Sequence, residues 1–378
     1  MKKIAIIGAS YLQEPLIKKA KERGIETHVF AWETGDVGEK AADYFYPISI
    51  LEKEQILEKC KEIKIDGICS IASDLAVITV NYVANRLGLV CNPEDAVEVS
   101  TNKYKMRERF RKNGDPSPKS IIVSSIDKID VKKLEYPVIV KPIDRSGSRG
   151  ITKVDDSKDI LMAVEKAKEL GFRKVALIEE YVVGHEYSVE YISWNGKHEF
   201  IALTKKYTTG APDFIETGHL EPAKVGGKIL DEIKKVVEHA LDSLGILYGA
   251  SHSEVKIDSS GNIKIIEIGG RMGGDLIGSS LVELSTGIDY VSAVIDVALG
   301  KKPNIKKGNE QMAAAVRYVF TEEDIAILKD IKKNNPEILI RKSINQITDK
   351  KVQDSSSRFG YYLMCGEVSI LERYMPSL

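Results

Sequence analysis

The first ninety-five residues alternate short apolar runs with amphipathic stretches, and this alternation constrains the fold more than any other feature of the chain. KIAIIGAS is followed by an expected helix at residues 15–23 and then by THVFAW. IDGICSIAS and a further helical stretch repeat the pattern. Strands and helices in alternation are typical of a parallel sheet with helices packed on its faces. We therefore predict a Rossmann-like α/β domain over residues 1–95.

Length, charge and cysteine content exclude several classes of protein. A chain of 378 residues with 43% hydrophobic residues can form two or three domains with sizeable cores. Its formal net charge of −1 gives no electrostatic footprint for nucleic acid or for an anionic membrane. The four cysteines lack CxxC spacing, and no apolar run approaches the roughly 20 residues that span a bilayer. We expect a cytoplasmic protein with reduced thiols whose partners are small molecules, with no nucleic acid and no membrane.

The rest of the chain divides at a segment with linker chemistry. A helix that carries Lys103 precedes Asp115-Pro116-Ser117-Pro118, where two prolines exclude a continuing helix. Strands SIIV, YPVIVKP and VALIEE with one helix then indicate a small α+β unit. The predicted units after residue 95 are a helical linker at 96–118, a small α+β domain at 119–180, a larger α+β domain at 181–310, and a C-terminal extension at 311–378 that packs on the larger domain.

Glu254 and Glu267 stand at mirrored positions around a predicted tight turn. Strands that fold back symmetrically about Ser260-Gly261 place the two glutamates opposite each other. Like charges directly opposite in an antiparallel pair are destabilising. A bound cation removes that cost, and Mg²⁺ takes carboxylate oxygens together with nucleotide phosphates. The alternative is an exposed hairpin with solvated glutamates, because a slip of one residue moves either side chain to the other face.

The segment 144–150 is rich in glycine, serine and arginine and follows an apolar strand. Its glycines allow backbone N–H groups to turn toward an anion, while the serine and arginine side chains add donors. Lys141 lies just before it, at the end of the run VIV, where an unpaired ammonium is costly to desolvate. The joined pattern KPxxxSGSRG predicts a loop that covers phosphate groups. Plain turn chemistry is the alternative for the loop alone.

The strand VALIEE ends in two acids and a short hinge. Backbone groups of such a hinge can bind the edge of an adenine ring. Glu186 lies seven residues after Glu179, a spacing that lets its carboxylate accept hydrogen bonds from both hydroxyls of a ribose. Taken alone, either glutamate is also explained as a solvated strand end.

The order of these motifs resembles the ATP-grasp superfamily over roughly residues 4–300. It runs Lys103, KPIDRSGSRG, IEEYVVGHEYSVE, HSEVKID and IIEIGGRMGG. Within the superfamily, GASYLQEPLIKKAKERG, PDFIETGHLEPA and EIGGRMGGDLI are similar to the L-amino acid ligases. The resemblance implies an α/β fold of ATP-grasp architecture, in which an N-terminal Rossmann-like domain precedes a small α+β lid domain and a larger C-terminal α+β domain.

The resemblance also implies a site for ATP and Mg²⁺ between the lid and the larger domain. Two metal ions, for which Mn²⁺ can substitute, are expected on Glu254 and Glu267. The superfamily usually has asparagine where this chain has Gly269, so water or a phosphate oxygen is expected to complete the second metal site. The implied nucleotide contacts are Lys103 and Lys141 at the phosphates, Arg145, Ser146, Gly147 and Ser148 in the loop above them, Glu179 with Tyr181 and Val182 at the adenine, and Glu186 at the ribose.

Four further residues are candidates for substrate contact. Glu216 and His219 lie in TTGAPDFIETGHLEPA, whose composition predicts a long loop, and the similar stretch of the ligases faces the substrate. Glu216 is expected to hold an amino group by charge. His219 is expected to orient or deprotonate the attacking amine, or to lie in a surface loop without a role. The guanidinium of Arg317, in AAAVRYVF, needs a carboxylate from substrate or from the protein. Arg271 resembles a family arginine that stabilises an oxyanion, and an ion pair with Asp275 is the alternative.

These expectations together predict an ATP-dependent carboxylate–amine ligase. A substrate carboxylate attacks the γ-phosphate of ATP, and an amine then displaces phosphate from the acyl phosphate to form an amide. The expected catalytic residues are Lys141, Glu254, Glu267 and Arg271. One alternative is an ATP-grasp carboxylase that acts on bicarbonate, of the purine-pathway or biotin carboxylase type. Another is a nucleotide-binding regulatory protein without turnover, and the superfamily also leads us to expect a homodimer.

Overall fold

The N-terminal part of the chain is a parallel sheet with helices on both faces, as the alternation predicts. The computed structural model describes residues 1–125, 130–145, 147–308 and 312–376. Ile4 on the first strand packs in one apolar cluster with Leu16, while Ile7, on the other face of the same strand, packs in another with Ile56. The four strands, in spatial order β3-β2-β1-β4, and their helices are β1 (Lys3–Ile7), α1 (Glu14–Glu22), β2 (Glu26–Phe30), α2 (Val37–Ala41), β3 (Tyr44–Tyr46), α3 (Lys53–Ile63), β4 (Gly67–Cys69) and α4 (Asp74–Leu87).

Two consecutive helices connect this sheet to the next one. They are α5 (Glu94–Thr101) and α6 (Lys103–Asn113). Asn102 caps α6, because its side chain accepts a hydrogen bond from the backbone N–H of Lys105. The cap fixes the start of α6 at Lys103, so that this lysine lies at the helix end nearest the later strands.

The small domain is a four-stranded sheet in the order β5-β8-β6-β7, with antiparallel pairs throughout and one helix against it. Val140 and Ile178 of the sheet pack with Val164 of the helix in a closed apolar cluster. Its elements are β5 (Ser120–Val123), β6 (Val138–Pro142), β7 (Thr152–Val154), α7 (Ile160–Leu170) and β8 (Ala176–Glu180).

Eight strands of the described chain form one large antiparallel sheet, in the order β13-β12-β9-β10-β11-β14-β16-β15. The strands that follow residue 311 complete this sheet through pairing of β11 with β14, so the predicted division at residue 310 falls inside a single sheet. The elements are β9 (His185–Trp194), β10 (Lys197–Thr208), β11 (Glu216–Glu221), α8 (Gly227–Leu244), β12 (Gly249–Ile257), β13 (Ile263–Gly269), α9 (Val282–Thr286), α10 (Tyr290–Ala298), β14 (Ala313–Tyr318), α11 (Glu322–Asn334), β15 (Leu339–Ile344), β16 (Gly360–Gly366) and α12 (Val368–Leu371).

Strand β11 corrects the prediction of a long loop over TTGAPDFIETGHLEPA. It lies between β10 and β14, and its polar residues tolerate burial because they have partners. Glu221 is fully buried and accepts hydrogen bonds from Thr204 Oγ1 at 2.5 Å and from Ser285 Oγ at 2.6 Å. The prolines that favoured a loop lie outside the strand, Pro212 before it and Pro222 directly after it.

None of the helices in the described ranges combines the length and the apolar character that crossing a bilayer requires.

Candidate functional site

A cleft lies between the lid sheet β5–β8 and the large sheet, and helix α6 and the start of α4 reach its edge. His252 and Asp74 also line it. Ser146 lies outside the described residues. The predicted site residues that line the cleft are Lys103, Lys141, Arg145, Gly147, Ser148, Glu179, Tyr181, Val182, Glu186, Glu216, Glu254, Glu267 and Arg271.

The two glutamates of the β12–β13 hairpin are direct cross-strand partners, Glu254 with Glu267. Nearer the turn the register is shifted by one residue, which makes Ile266 the extra residue of a β-bulge. Arg107 from α6 donates a hydrogen bond to the carbonyl oxygen of Ile266. The predicted pairing of the glutamates is therefore right, but it depends on a bulge that a symmetric turn does not contain.

Each of these glutamates is bound by a buried lysine. Lys103 Nζ lies 2.6 Å from Glu267 Oε1, and Lys206 Nζ lies 2.6 Å from Glu254 Oε1. Burial opposes the charge on Glu254, but the Lys206 ammonium outweighs it and holds the pKa of Glu254 well below its usual range. A cationic group thus lies beside each of the two carboxylates.

Lys206 was missed by the sequence reasoning. Its ammonium is also 2.9 Å from Glu186 and 3.7 Å from Glu216, so one cation bridges three carboxylates. Burial alone would lower the pKa of Lys206, but the three carboxylates raise it well above its ordinary value. One sequence pattern could have identified Lys206. Side chains alternate between the two faces of strand β10, FIALTKKYT, which places Lys206 on the same face as the buried Thr204.

Lys141 and Glu179 form another buried pair that lines the cleft. Lys141 Nζ lies 2.5 Å from Glu179 Oε2, and Arg107 Nε lies 2.8 Å from Glu179 Oε1. Burial lowers the pKa of Lys141 even though Glu179 opposes the shift. The Glu179 carboxylate therefore contacts two protein cations in this structure. Tyr181 and Val182 of the hinge also line the cleft, and the carbonyl oxygen of Val182 accepts a 3.3 Å hydrogen bond from Lys256 Nζ.

The glycine-rich loop at 147–150 contacts the segment that directly precedes β11, at Phe214. Gly147 and Ser148 adopt left-handed backbone conformations, with φ of 69° and 59°. Ser148 Oγ donates a 2.8 Å hydrogen bond to the carbonyl oxygen of Phe214. The Arg145 guanidinium lies 4.4 Å from the centre of the Phe172 ring. These contacts hold the loop over the mouth of the cleft.

Arg271 is paired with Asp74 and not with Asp275. Its Nε and Nη2 donate to the two carboxylate oxygens of Asp74 at 2.8 and 3.1 Å, while Asp275 accepts from Arg358. Asp74 is the first residue of α4, and the Ser73 side chain caps that helix. A Cβ atom on Gly269 would lie 2.8 Å from Asp74 Oδ1, so this ion pair fills the space where the superfamily usually places asparagine.

Two predicted substrate residues lie outside the cleft. Arg317 donates to Asp324 Oδ1 at 2.8 and 2.9 Å and to the carbonyl oxygen of Tyr374 at 2.9 Å, which corrects the prediction of a substrate carboxylate. His219 is buried on β11, where burial lowers its pKa to about 3. Neither ring nitrogen of His219 has a hydrogen-bond partner within the described residues.

The donor set of the hairpin fits magnesium with a nucleotide better than a metal held by protein alone. Within the described ranges, no group of three or more His, Cys, Asp and Glu side chains is arranged to hold a metal ion. Mg²⁺ is commonly bound by one or two carboxylates, with phosphate oxygens and water supplying the rest. Glu254 and Glu267 match that number.

A family model described as an ATP-grasp domain matches residues 134–279. This stretch is an ATP-grasp domain. The ATP-grasp domain contains the lid strands β6–β8, the hairpin β12–β13 and Arg271, and it confirms the superfamily that the motifs predicted.

Proteins similar to this chain include both ligases and carboxylating enzymes. The alanine–anticapsin ligase of Bacillus subtilis (strain 168) is 25% identical over 311 residues, which cover 72% of this chain and 65% of that protein. This chain thus spans slightly less than two thirds of that relative's length.

Solved structures with the same architecture cover nearly the whole chain. The L-amino acid ligase from Bacillus licheniformis has a TM-score of 0.83 at 22% identity and covers 99% of this chain and 96% of that one. The N5-carboxyaminoimidazole synthetase from Staphylococcus aureus, complexed with ADP, has a TM-score of 0.77 at 17% identity and covers 98% and 95%. Both likenesses confirm the ATP-grasp architecture around the domain.

Proposed function

We propose that the protein is an ATP-dependent carboxylate–amine ligase that forms an amide bond through an acyl phosphate and releases ADP and phosphate. The observation that carries the proposal is the facing pair Glu254 and Glu267, each bound by a buried lysine, in a cleft that also contains Arg271. The 25% identity to a ligase supports the same class of reaction.

The nucleotide would lie with its adenine at the hinge and its phosphates toward the hairpin. Tyr181 and Val182 would offer backbone groups to the adenine edge, and Glu186 would accept hydrogen bonds from the ribose hydroxyls. Lys103 and Lys141 would contact the phosphates, together with Lys206, whose ammonium lies between Glu186 and Glu254. Magnesium ions held by Glu254 and Glu267 would neutralise charge on the transferred phosphoryl group.

The two chemical steps then need little beyond position and charge. An oxygen of the substrate carboxylate attacks the γ-phosphorus of ATP, the bond to the β–γ bridging oxygen breaks, and ADP leaves. The nitrogen of the amine next attacks the acyl carbon, phosphate departs with the former carboxylate oxygen, and the proton that the nitrogen loses passes to phosphate or to solvent. Arg271 would stabilise the oxyanion of this second step, since Asp74 fixes its guanidinium at the cleft. The loop at 147–150 would exclude water from the acyl phosphate.

We infer that at least one substrate is an amino acid. Glu216 lines the cleft, and burial raises the pKa of its carboxyl although Lys206 opposes the shift. An ammonium group of a substrate would be a second cationic partner for this carboxylate. Glu216 accepts a 2.8 Å hydrogen bond from Ser355 Oγ, which orients it from the C-terminal segment.

A phosphate-release assay with ATP, Mg²⁺ and a matrix of paired amino acids tests the proposal. Phosphate release that requires two amino acids is expected, and Glu267→Gln should reduce it by at least about 100-fold because charge stabilisation is lost. Release that requires bicarbonate instead would favour the carboxylase alternative. Nucleotide binding without release under any condition would favour the regulatory alternative.

A further inference from the structure

Glu190 is a fully buried carboxylate on β9 that joins the strand of Glu254 to the loop of Arg271. It is the direct cross-strand partner of His252 on β12, and its Oε1 binds His252 Nδ1. Its Oε2 accepts a 2.9 Å hydrogen bond from the backbone N–H of Gly273. One carboxylate therefore has both oxygens bound, one by each of the two elements.

Gly273 leaves the space that this arrangement needs. A Cβ atom at residue 273 would lie 2.6 Å from Glu190 Oε1 and 2.8 Å from His252 Nδ1, closer than such atoms approach in proteins. The backbone of the Arg271 loop can therefore reach the Glu190 carboxylate only with glycine at this position.

His252 carries the contact on into the cleft. Its Nε2 lies 3.6 Å from Glu254 Oε1, within ion-pair distance, and its side chain lines the cleft while being almost wholly buried. Glu190, His252 and Glu254 thus form a continuous row of charged and polar groups. A buried carboxylate is costly to desolvate, and replacing such pairs by apolar residues is often neutral for stability. A contribution to folding stability alone therefore does not explain why Glu190, His252 and Glu254 lie in contact.

We propose that Glu190 is a positioning residue, which sets Glu254 through His252 and Arg271 through Gly273 at a fixed separation. The inference rests on the proposed function, in which Glu254 holds magnesium and Arg271 stabilises the oxyanion. Some residues do not touch the metal but orient a carboxylate that binds it. Loss of such a residue typically lowers metal affinity or activity by about 10- to 100-fold.

The test is a calorimetric titration of ADP binding at increasing Mg²⁺ concentration, in which no turnover occurs. Glu190→Gln keeps the shape of the side chain and removes its charge. The half-saturating Mg²⁺ concentration should rise by about 10-fold or more, while ADP binding without Mg²⁺ changes by less than about twofold. Glu221→Gln is the matched control, because Glu221 is equally buried in the same sheet and its carboxylate binds only Thr204 and Ser285 among the described residues.

A second variant keeps the test decisive if Glu190→Gln does not fold. Gly273→Ala displaces the same carboxylate by its added methyl group and should raise the half-saturating Mg²⁺ concentration in the same direction. A lower melting temperature with unchanged Mg²⁺ dependence in both variants would overturn the inference alone. Absence of Mg²⁺-dependent ADP binding in the wild type would overturn the proposed function and the inference together.

Discussion

Glu254 and Glu267 face each other across one hairpin, yet they do not leave two bare negative charges side by side, because Lys206 and Lys103 each bind one of them. The two lysines come from different elements, Lys206 from β10 and Lys103 from the start of α6. The two lysines thus offset the like charges of the hairpin while its two glutamates stay directly opposite each other.

Replacement of Lys206 tests whether its ammonium stands in for a bound cation. Lys206→Met removes the charge shared by three carboxylates, and breaking a buried ion pair typically costs about 3–5 kcal/mol. We expect a lower melting temperature without Mg²⁺ and a larger rise on adding Mg²⁺ than in the wild type. Lys205→Met, at the neighbouring position on the other face of β10, is the control. An equal Mg²⁺-induced rise in all three proteins would refute this role.

Addition of a methyl group at Gly269 tests the Asp74–Arg271 pair. In Gly269→Ala the new Cβ would lie 2.8 Å from Asp74 Oδ1, so the pair must shift, at a cost of about 1–3 kcal/mol. Gly270→Ala is the matched control, because its Cβ would meet only ordinary contacts at 3.5 and 3.6 Å. The melting temperature and the rate of phosphate release should both fall in Gly269→Ala and stay near the wild-type values in Gly270→Ala. Similar behaviour of the two would contradict the packing argument.

Glu221 should make stability depend on pH. Burial raises the pKa of Glu221 to about 7, although hydrogen bonds from Ser285 and Thr204 oppose the shift. Between roughly pH 4.5 and 7 the folded protein keeps a proton that the unfolded chain has released, so stability falls as pH rises through this window. The loss is on the order of 3 kcal/mol.

Glu221→Gln should remove that loss. The melting temperature of the variant, relative to wild type, should therefore be higher at pH 8 than at pH 5. Glu33→Gln, at an exposed glutamate, serves as the control. A difference that is the same at both pH values would show that Glu221 is ionised throughout.

Arg317 should matter for stability and not for substrate affinity. Arg317→Met leaves Asp324 buried without its cation, which should lower stability by about 3–5 kcal/mol. The KM values for ATP and the amino acids should stay within about twofold, because Arg317 does not line the cleft. A large rise in one KM with unchanged melting would restore the substrate contact that the sequence predicted.

Local patterns in the sequence were sufficient to predict much of the fold and many of the residues that line the cleft. The strand and helix alternation of residues 1–95 specifies its own sheet, because neighbouring elements pack on each other. The hairpin pair Glu254 and Glu267 could be predicted because a short turn determines which residues face each other. The glycine-rich loop could be recognised because Gly147 and Gly150 adopt left-handed backbone conformations, which glycine adopts most easily.

Contacts between distant segments could not be predicted in the same way. Asp74 and Arg271 are nearly two hundred residues apart, so nothing local distinguishes this pair from Arg271 with Asp275. Strand β11 was taken for a loop because the hydroxyl groups that pair with Glu221 lie on β10 and α9. Lys206 was overlooked because a lysine in a strand is usually solvated, and its three carboxylates come together only in the folded sheet.

We propose above all that the β12–β13 hairpin holds a magnesium nucleotide through its two glutamates. Calorimetry with ADP, with and without Mg²⁺, on the wild type and on the double variant Glu254→Gln, Glu267→Gln tests it most directly. We expect Mg²⁺ to strengthen ADP binding to the wild type by at least about 10-fold and to leave binding to the double variant unchanged. Equal strengthening in both proteins, or no heat of binding to the wild type, would contradict it.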